Sequence, residues 1–527
     1  MTVSWLNRRT FLRLVGSAFA AIRILPAKAD PPVPVQSGSN NATTASPRVV
    51  IYPAPQEEIL SSDYAVEVNG RPVPVYAIKS RWHDRKYSAA YFDFSGRVTV
   101  TIRPNLSALG VTASLDQLAV RPEKYGIHPS IADGALSFTT DKHFNISVEP
   151  KGVHSPLHLF SNPIEENPPK PSDPGVVYFG PGIHTPTHIA LTAGQTLYIA
   201  GGAIVNSAVT STGDNIRIMG RGILSGDNWQ QAVIPTYVET EKGVELLPER
   251  MVWPSDGRNI LIEDIIIRGA WTWTVVPSRC DQVLIRNLRI CGSRCANDDG
   301  IDTCNCSNVI IRDCFVHTDD DGMCVKGTAS GNQDPRASEN IVVEDCTFWI
   351  DFANGFRMGS ESRARACRNF TARNIDFIHF PSNPDSGPPG SGGPQSAVFQ
   401  ILPQGEMPME NLVFNNIRVN GERPLQLIGI ACYWDTPPAA NAHPAGPYLH
   451  KVIFEDVSVY GQHEGPELSP FVYMQGLDAK HDIENVVLRN VVLHGKEVTR
   501  ETAGVQIGEF VSGVVFDGHS TGVPVSQ

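Results

Sequence analysis

The chain has 527 residues, with 43 Lys+Arg against 55 Asp+Glu, 45 Gly, 41 Pro and 10 Cys. Hydrophobic residues at 41% and charged residues at 19% exclude a disordered chain and a membrane bundle. Segment 1–29 carries Arg8, Arg9, Arg13, Arg23 and Lys28 and no acid; without it the formal charge moves from −12 to −17, which repels nucleic-acid phosphates and disfavours a polyanionic sugar.

At the amino terminus Arg8-Arg9 precede the small and apolar stretch Leu14 to Leu25, and Ala27-Lys28-Ala29 has the small-x-small form of a signal-peptidase site. The pattern predicts a twin-arginine export signal over 1–29, with Asp30 as the new terminus, then a flexible leader over 30–47 rich in Pro, Ser, Asn and Thr. The apolar run is too short to span a bilayer. The expectation is a periplasmic or extracellular monomer with no membrane partner after cleavage.

Residues 48–161 contain short alternating runs: Val49 to Tyr52, Tyr64 to Val68, Arg97 to Arg103, Leu136 to Thr139 and Phe144 to Val148. Turn residues separate them irregularly, which predicts an antiparallel β-sandwich. Proline becomes frequent over 162–175, predicting a linker.

From 176 to 527 the chain repeats itself. The segments starting at Asn259, Gln282, Asn308, Asn340, Asn369, Asn411, Lys451 and Asn485 each have apolar residues at their second and fourth positions and Asp or Asn at their sixth. The interval between successive starts varies, shortest from Asn259 to Gln282 and longest from Asn369 to Asn411, so a constant rung carries loops of varying length. This predicts an all-β parallel β-helix, with alternate side chains facing a common axis and Asn or Asp stacked at the corners. Nine of the ten cysteines lie between Cys280 and Cys367 and recur at one repeat position, as at Cys314 and Cys346, which predicts small buried residues on neighbouring turns. Cys291 with Cys295, and Cys304 with Cys306, can pair in an oxidising compartment, whereas a zinc site lacks a His at ligand spacing.

Two adjacent rungs carry acid clusters, Asn297-Asp298-Asp299-Gly300-Ile301-Asp302 and Thr318-Asp319-Asp320-Asp321-Gly322. With turns stacked about 4.8 Å apart, acids on consecutive rungs are forced together. Asp320 is expected to lie one rung beyond Asp299. Carboxylates at close range cannot both ionise cheaply, which supplies an acid and a base at one pH. Inverting hydrolysis of a glycosidic bond uses such a pair. Three consecutive aspartates also suit calcium, and an acidic loop is the plainest reading.

The paired motifs N-D-D-G-I-D and T-D-D-D-G-M-C-V-K resemble those of the polygalacturonase clan, glycoside hydrolase families 28 and 49. The resemblance implies an inverting hydrolase on a right-handed parallel β-helix; no cofactor and no metal are expected. It implies that Asp320 protonates the leaving oxygen while Asp299 and Asp321 activate water. It gives no role to Asp298 and Asp319, which are expected to be loop or supporting groups. Family 28 members carry Gly-His-Gly in the next rung and Arg-Ile-Lys beyond it; here the stretch Phe352 to Ser360 has no His and no Arg-Ile-Lys follows. Family 49, of the dextranase and isopullulanase type, fits better: its members place a β-sandwich first, their entry to the coil resembles Tyr198 to Val205 and Gly220 to Gly226, and Arg357-Met358-Gly359 sits at a comparable segment.

Sugar rings bind on aromatic faces and through planar polar groups. Trp271 and Trp273, two positions apart in the rung before Asp299, are expected to face the cleft, with Lys326 and Arg357 beside the acids. Trp229, Trp434 and the Pro381–Ser396 segment lie on connections. The expected activity is hydrolysis of a neutral polysaccharide, an α-glucan such as dextran first. A pectin-type hydrolase, a calcium-dependent lyase and a non-catalytic glycan-binding coil are the alternatives.

Overall fold

The computed structural model describes residues 46–518 apart from 110–117, 151, 230–236, 241–242, 247–249, 293, 328–335, 360–363, 382–395, 404–406 and 433–446. The export signal, nearly all of the leader, Trp434 and most of the Pro381–Ser396 segment lie outside the described residues. No helix among the described residues is long and apolar enough to cross a membrane.

Two sheets precede the coil. One contains strands Tyr64–Val68, Arg71–Val73, Val98–Pro104, Ser130–Ala132 and Ala135–Thr140; the other is built around Tyr87–Ser95, Asn145–Glu149 and Leu157–Pro163. Val66, Val68, Val100 and Ile102 from the first pack against Phe92, Phe94, Ile146 and Leu159 from the second, giving one sandwich core. Two of these strands have no alternating signature. Tyr87–Ser95 is buried along almost its whole length because its two faces serve different cores: Ala90, Phe92 and Phe94 enter the sandwich, while Tyr87, Ala89 and Tyr91 pack with coil residues such as Ile266, Phe315 and Trp349. Its neighbour Leu157–Pro163 pairs with it in parallel, as far as Pro163 against Phe94.

Beyond Val176 the strands form a near-closed parallel β-helix. A 21-stranded sheet holds the repeat segments, and a seven-stranded parallel sheet runs Ile301–Cys304, Met323–Lys326, Phe356–Gly359, Phe399–Leu402, Ile428–Ala431, Val472–Gln475, Val505–Ile507. The second and fourth repeat positions enter the axial core, as Ile260 with Ile262 and Val309 with Ile311 do.

The corners explain the repeat chemistry. All eight first positions, Asn259 to Asn485, and all eight sixth positions, Asp264 to Asn490, have φ between 49° and 69°. Asn and Asp tolerate this left-handed backbone better than other side-chain-bearing residues. Side-chain amides then bond from rung to rung: Asn340 Nδ2 donates to Asn308 Oδ1 at 3.2 Å and Asn369 Nδ2 to Asn340 Oδ1 at 3.0 Å. Asn490 Nδ2 donates to Asp456 Oδ1 at 2.6 Å on the second corner. All ten cysteines are buried and none is in a disulfide, and Cys314 and Cys346 donate to backbone carbonyls of their own rungs, Arg312 and Glu344.

Candidate active site

The acid motifs lie where the 21-stranded sheet hands the chain to the seven-stranded one. Ile301 pairs with Met323 and Asp302 with Cys324, which fixes the length of the local rung. In that register the true neighbours are Asp299 and Asp321, one position beyond the match of Asp299 with Asp320 expected from the sequence. The glycines of both motifs make this stacking possible. A Cβ on Gly300 would lie 2.5 Å from the Gly322 carbonyl oxygen, and one on Gly322 would lie 2.9 Å from that of Gly355. The backbones bond directly, Gly300 N to Asp321 O and Gly322 N to Asn354 O, each at 2.8 Å.

Side chains thus form two files. In the first, Asp299, Asp321 and Asn354 follow one another; in the second, Asp302, Cys324, Arg357 and Gln400 are register partners. Carboxylate oxygens of Asp299 and Asp321 and the Cys324 sulfur all lie within 4.8 Å of one another. The thiol is 3.7 Å from Oδ2 of each acid. Lys326 Nζ donates to Asp299 Oδ2 at 2.7 Å and lies 3.8 Å from Asp302 Oδ1. Arg357 Nε sits 3.5 Å from Asp321 Oδ2, while Asn354 gives Asp321 Oδ1 its backbone N–H at 3.1 Å and its Nδ2 at 2.6 Å.

Burial sets the electrostatics. Asp299, Asp302 and Asp321 are at most 2% exposed, whereas Asp320 keeps partial access to solvent. Burial raises the proton affinity of Asp299; Lys326 opposes this and Asp321 adds to it, leaving the group above the usual carboxylate range. Asp320 is raised well above that range, by burial first and then by the charges of Asp299 and Asp321. Burial pushes Asp302 up to about 7 despite Lys326. Burial opposes the charge of Lys326, but Asp299 and Asp302 hold the ammonium well above the ordinary lysine value. One partly exposed carboxyl that keeps its proton beside two carboxylates held by cations and amides is a geometry for proton transfer at an oxygen.

Asp298 and Asp319 support this arrangement. Asp298 accepts the backbone N–H groups of Asp319 and Asp320 on one oxygen, and those of Arg294 and Cys295 on the other. It fixes the loop that aims Asp320. Asp319 accepts from Trp82 Nε1 at 2.8 Å and pairs with Arg81 Nε at 3.0 Å, so the sandwich reaches the acid loop.

The two tryptophans part company. Trp271 is 1% exposed and packs edge-on against Trp229 in the axial core, contrary to the expectation that both face the cleft. Residues 271–274 form bends rather than a strand, so positions two apart need not share a face. Trp273 lies beside the acids, its ring 3.5 Å from Lys326 Nζ and 3.9 Å from the Arg250 guanidinium. Asn354, Asp302 and the Arg81–Trp82 pair are additions that the sequence did not single out. The signal for the last was the charged and aromatic run Arg81-Trp82-His83-Asp84-Arg85 within an otherwise alternating region.

The cluster suits calcium poorly: its third atom is a thiol, and Lys326 and Arg357 already pair with the two carboxylates, whereas calcium takes oxygen ligands.

Against known proteins, the sequence model of glycosyl hydrolases family 28 matches residues 191–378, which includes both acid motifs. The chain is 22% identical over 424 residues to the isopullulanase of Aspergillus niger, covering 66% of this chain and 70% of that protein. Its fold is similar to that of Dex49A from Penicillium minioluteum, with a TM-score of 0.56 and 16% identity over 87% of this chain and 96% of the other. It is also similar to the family 28 exopolygalacturonase of Yersinia enterocolitica, with a TM-score of 0.42 and 13% identity over 90% and 97% of the two chains.

Proposed function

We propose that this chain, an O-glycosyl hydrolase with the fold of the family 28 and 49 clan, cleaves a neutral α-glucan, dextran first, with inversion of configuration. The observation that carries this reading is the stacking of Asp299 on Asp321 beside the partly exposed Asp320, whose proton affinity burial and the neighbouring carboxylates raise. Asp320 gives its proton to the leaving glycosidic oxygen, and Asp299 with Asp321 takes the proton of the attacking water. Asn354 and Arg357 orient Asp321, Lys326 opposes protonation of Asp299, and Trp273 packs its ring against Lys326.

The neutral substrate follows from the cations. Lys326 and Arg357, which flank the acids, are both paired with carboxylates of the site, so a uronate would meet compensated charge. The Aspergillus isopullulanase and Penicillium Dex49A, by their names, support a glucan. The match to the family 28 model favours a pectin-type hydrolase as the second reading. Incubation with dextran, other α-glucans and polygalacturonate, with product anomers followed by NMR, tests both. Reducing ends released from a neutral α-glucan, with the anomer inverted in the first product, are expected. Release from polygalacturonate alone overturns the substrate, and a retained anomer overturns the mechanism.

Lys326→Met removes the group that favours ionised Asp299. The base then protonates at higher pH, so the acid limb of the pH–rate profile moves upward; an unmoved limb leaves Lys326 a packing role only. Domain organisation is read as sandwich over 48–161, linker over 162–175 and coil over 176–527. Export through the twin-arginine signal and action as a monomer belong to the same proposal. N-terminal sequencing of the exported protein, expected to begin at Asp30, and its elution volume on gel filtration test these two points.

A further inference from the structure

A second cluster of ligand-type side chains lies four to five rungs further along the coil, where strands Leu449–Tyr460 and Ile483–Leu493 end. At about 4.8 Å per rung this is roughly 20–24 Å from the acids. His463 Nε2 and His494 Nε2 both approach the same oxygen, Glu467 Oε1, each at 2.7 Å. The other Glu467 oxygen accepts the Leu425 backbone N–H at 2.8 Å, which fixes the carboxylate plane. The three side chains are largely buried, at 7%, 10% and 20% exposure for His463, Glu467 and His494.

The hydrogen-bond pattern of His463 is informative. Its Nδ1 lies 3.2 Å from the carbonyl oxygen of Glu464, which can only accept, so the ring proton sits on Nδ1. Nε2 likewise faces an acceptor, Glu467 Oε1, beside a second imidazole nitrogen aimed at the same point, so the His463 ring bonds here as an imidazolium. A backbone carbonyl holding one ring N–H while the other nitrogen faces outward is how metal-binding histidines are oriented. A metal cation among the three atoms takes the place of the bridging Nε2 protons, which leave to solvent, and turns these hydrogen bonds into coordination.

We propose that His463, Glu467 and His494 bind one divalent transition-metal ion, zinc by preference. Two imidazoles and a carboxylate, whose ligand atoms all lie within 4.8 Å of one another, suit zinc, cobalt(II) or nickel(II) and do not suit calcium. Ligand distances of about 2.0–2.1 Å require the nitrogen–oxygen contacts to open to about 3.3 Å for a tetrahedral ion, a small side-chain adjustment. Water fills the fourth position. The ion clips the 461–470 loop to the turn at His494-Gly495, both of whose residues have positive φ, and so holds the last rungs of the coil together.

The test uses the full chain after chelator treatment and dialysis. Titration with cobalt(II) followed by visible spectroscopy, and with zinc by calorimetry, is expected to show one ion per chain with the absorption of a tetrahedral N/O site. Zinc is also expected to raise the thermal midpoint, reversibly with chelator. His463→Gln and His494→Asn are expected to lose both effects while glycan hydrolysis is unchanged; Asn is chosen at 494 because it tolerates the left-handed backbone there. No binding by the wild type overturns the proposal. So does undiminished binding in both variants, or a thiolate charge-transfer band, which would place the ion at Cys324 instead. If His494→Asn fails to fold, His463→Gln and Glu467→Gln decide.

Discussion

Asp320→Asn is expected to leave a folded protein whose glycan hydrolysis falls by about 10²–10⁴-fold, the usual worth of a positioned general acid. The amide keeps the size and most contacts of the carboxyl but has no proton to give at the pH where hydrolysis runs. The Asp320 backbone is tied to Asp298 and its Oδ1 accepts the Asp321 N–H at 2.9 Å, contacts an amide oxygen also makes, so folding is preserved. Reducing-end release measures the loss, and near-ultraviolet circular dichroism checks the fold. In the wild type the same group sets the alkaline limb of the pH–rate profile. Its proton affinity is raised, so activity persists toward neutral pH and falls as Asp320 gives up its proton. Full activity in the variant would remove Asp320 from the chemistry.

Asp351→Asn is expected to cost about 3–5 kcal/mol of stability, the scale of breaking a buried, fully bonded ion pair. Asp351 is the anchor between sandwich and coil. Its carboxylate receives Arg85, Tyr87 Oη at 2.8 Å, Trp349 Nε1 at 3.0 Å and His317 Nε2 at 2.9 Å. His317 in turn meets His158 Nε2 through its Nδ1 at 2.9 Å. Since Asp351 only accepts, the neutral His317 carries its proton on Nε2 and receives the His158 N–H; burial keeps both rings neutral by lowering their proton affinity. Burial alone would raise the Asp351 pKa, but its donors hold it far below the ordinary value. A depressed carboxylate contributes its full stability above its unfolded pKa, about 3.9, and loses it as pH falls below that. Denaturant melts at several pH values are the check: the wild type loses stability below about pH 4, and the variant loses less over the same range.

The coil was legible because its signal is periodic twice over. Apolar second and fourth positions mark the axis, and Asn or Asp at the corners marks the left-handed backbone that other residues resist. The first repeat position bends the chain as strongly as the sixth, yet only the sixth reads as a corner from the sequence, since an Asn that opens a strand looks like an ordinary boundary. Within the site, Asp299, Asp320 and Asp321 announced themselves by density of charge. Their pairing did not, because loop length hides whether a rung brings Asp299 against Asp320 or against Asp321, and a single position decides which acid stacks on which. Asn354 was invisible for the same reason. The strands Tyr87–Ser95 and Leu157–Pro163 escaped because a strand covered on both faces has no alternation to read.

The two files of side chains have a consequence for how this face of the coil can change. The second file is laid down in register, one residue per rung from Asp302 through Cys324, Arg357 and Gln400 to Gly429, Tyr473 and Gln506. The connections between rungs are free in length, as the unequal intervals between repeat starts show. The face is therefore set like a line of type: one letter can be reset without moving its neighbours, and a connection can be lengthened without disturbing the line it joins.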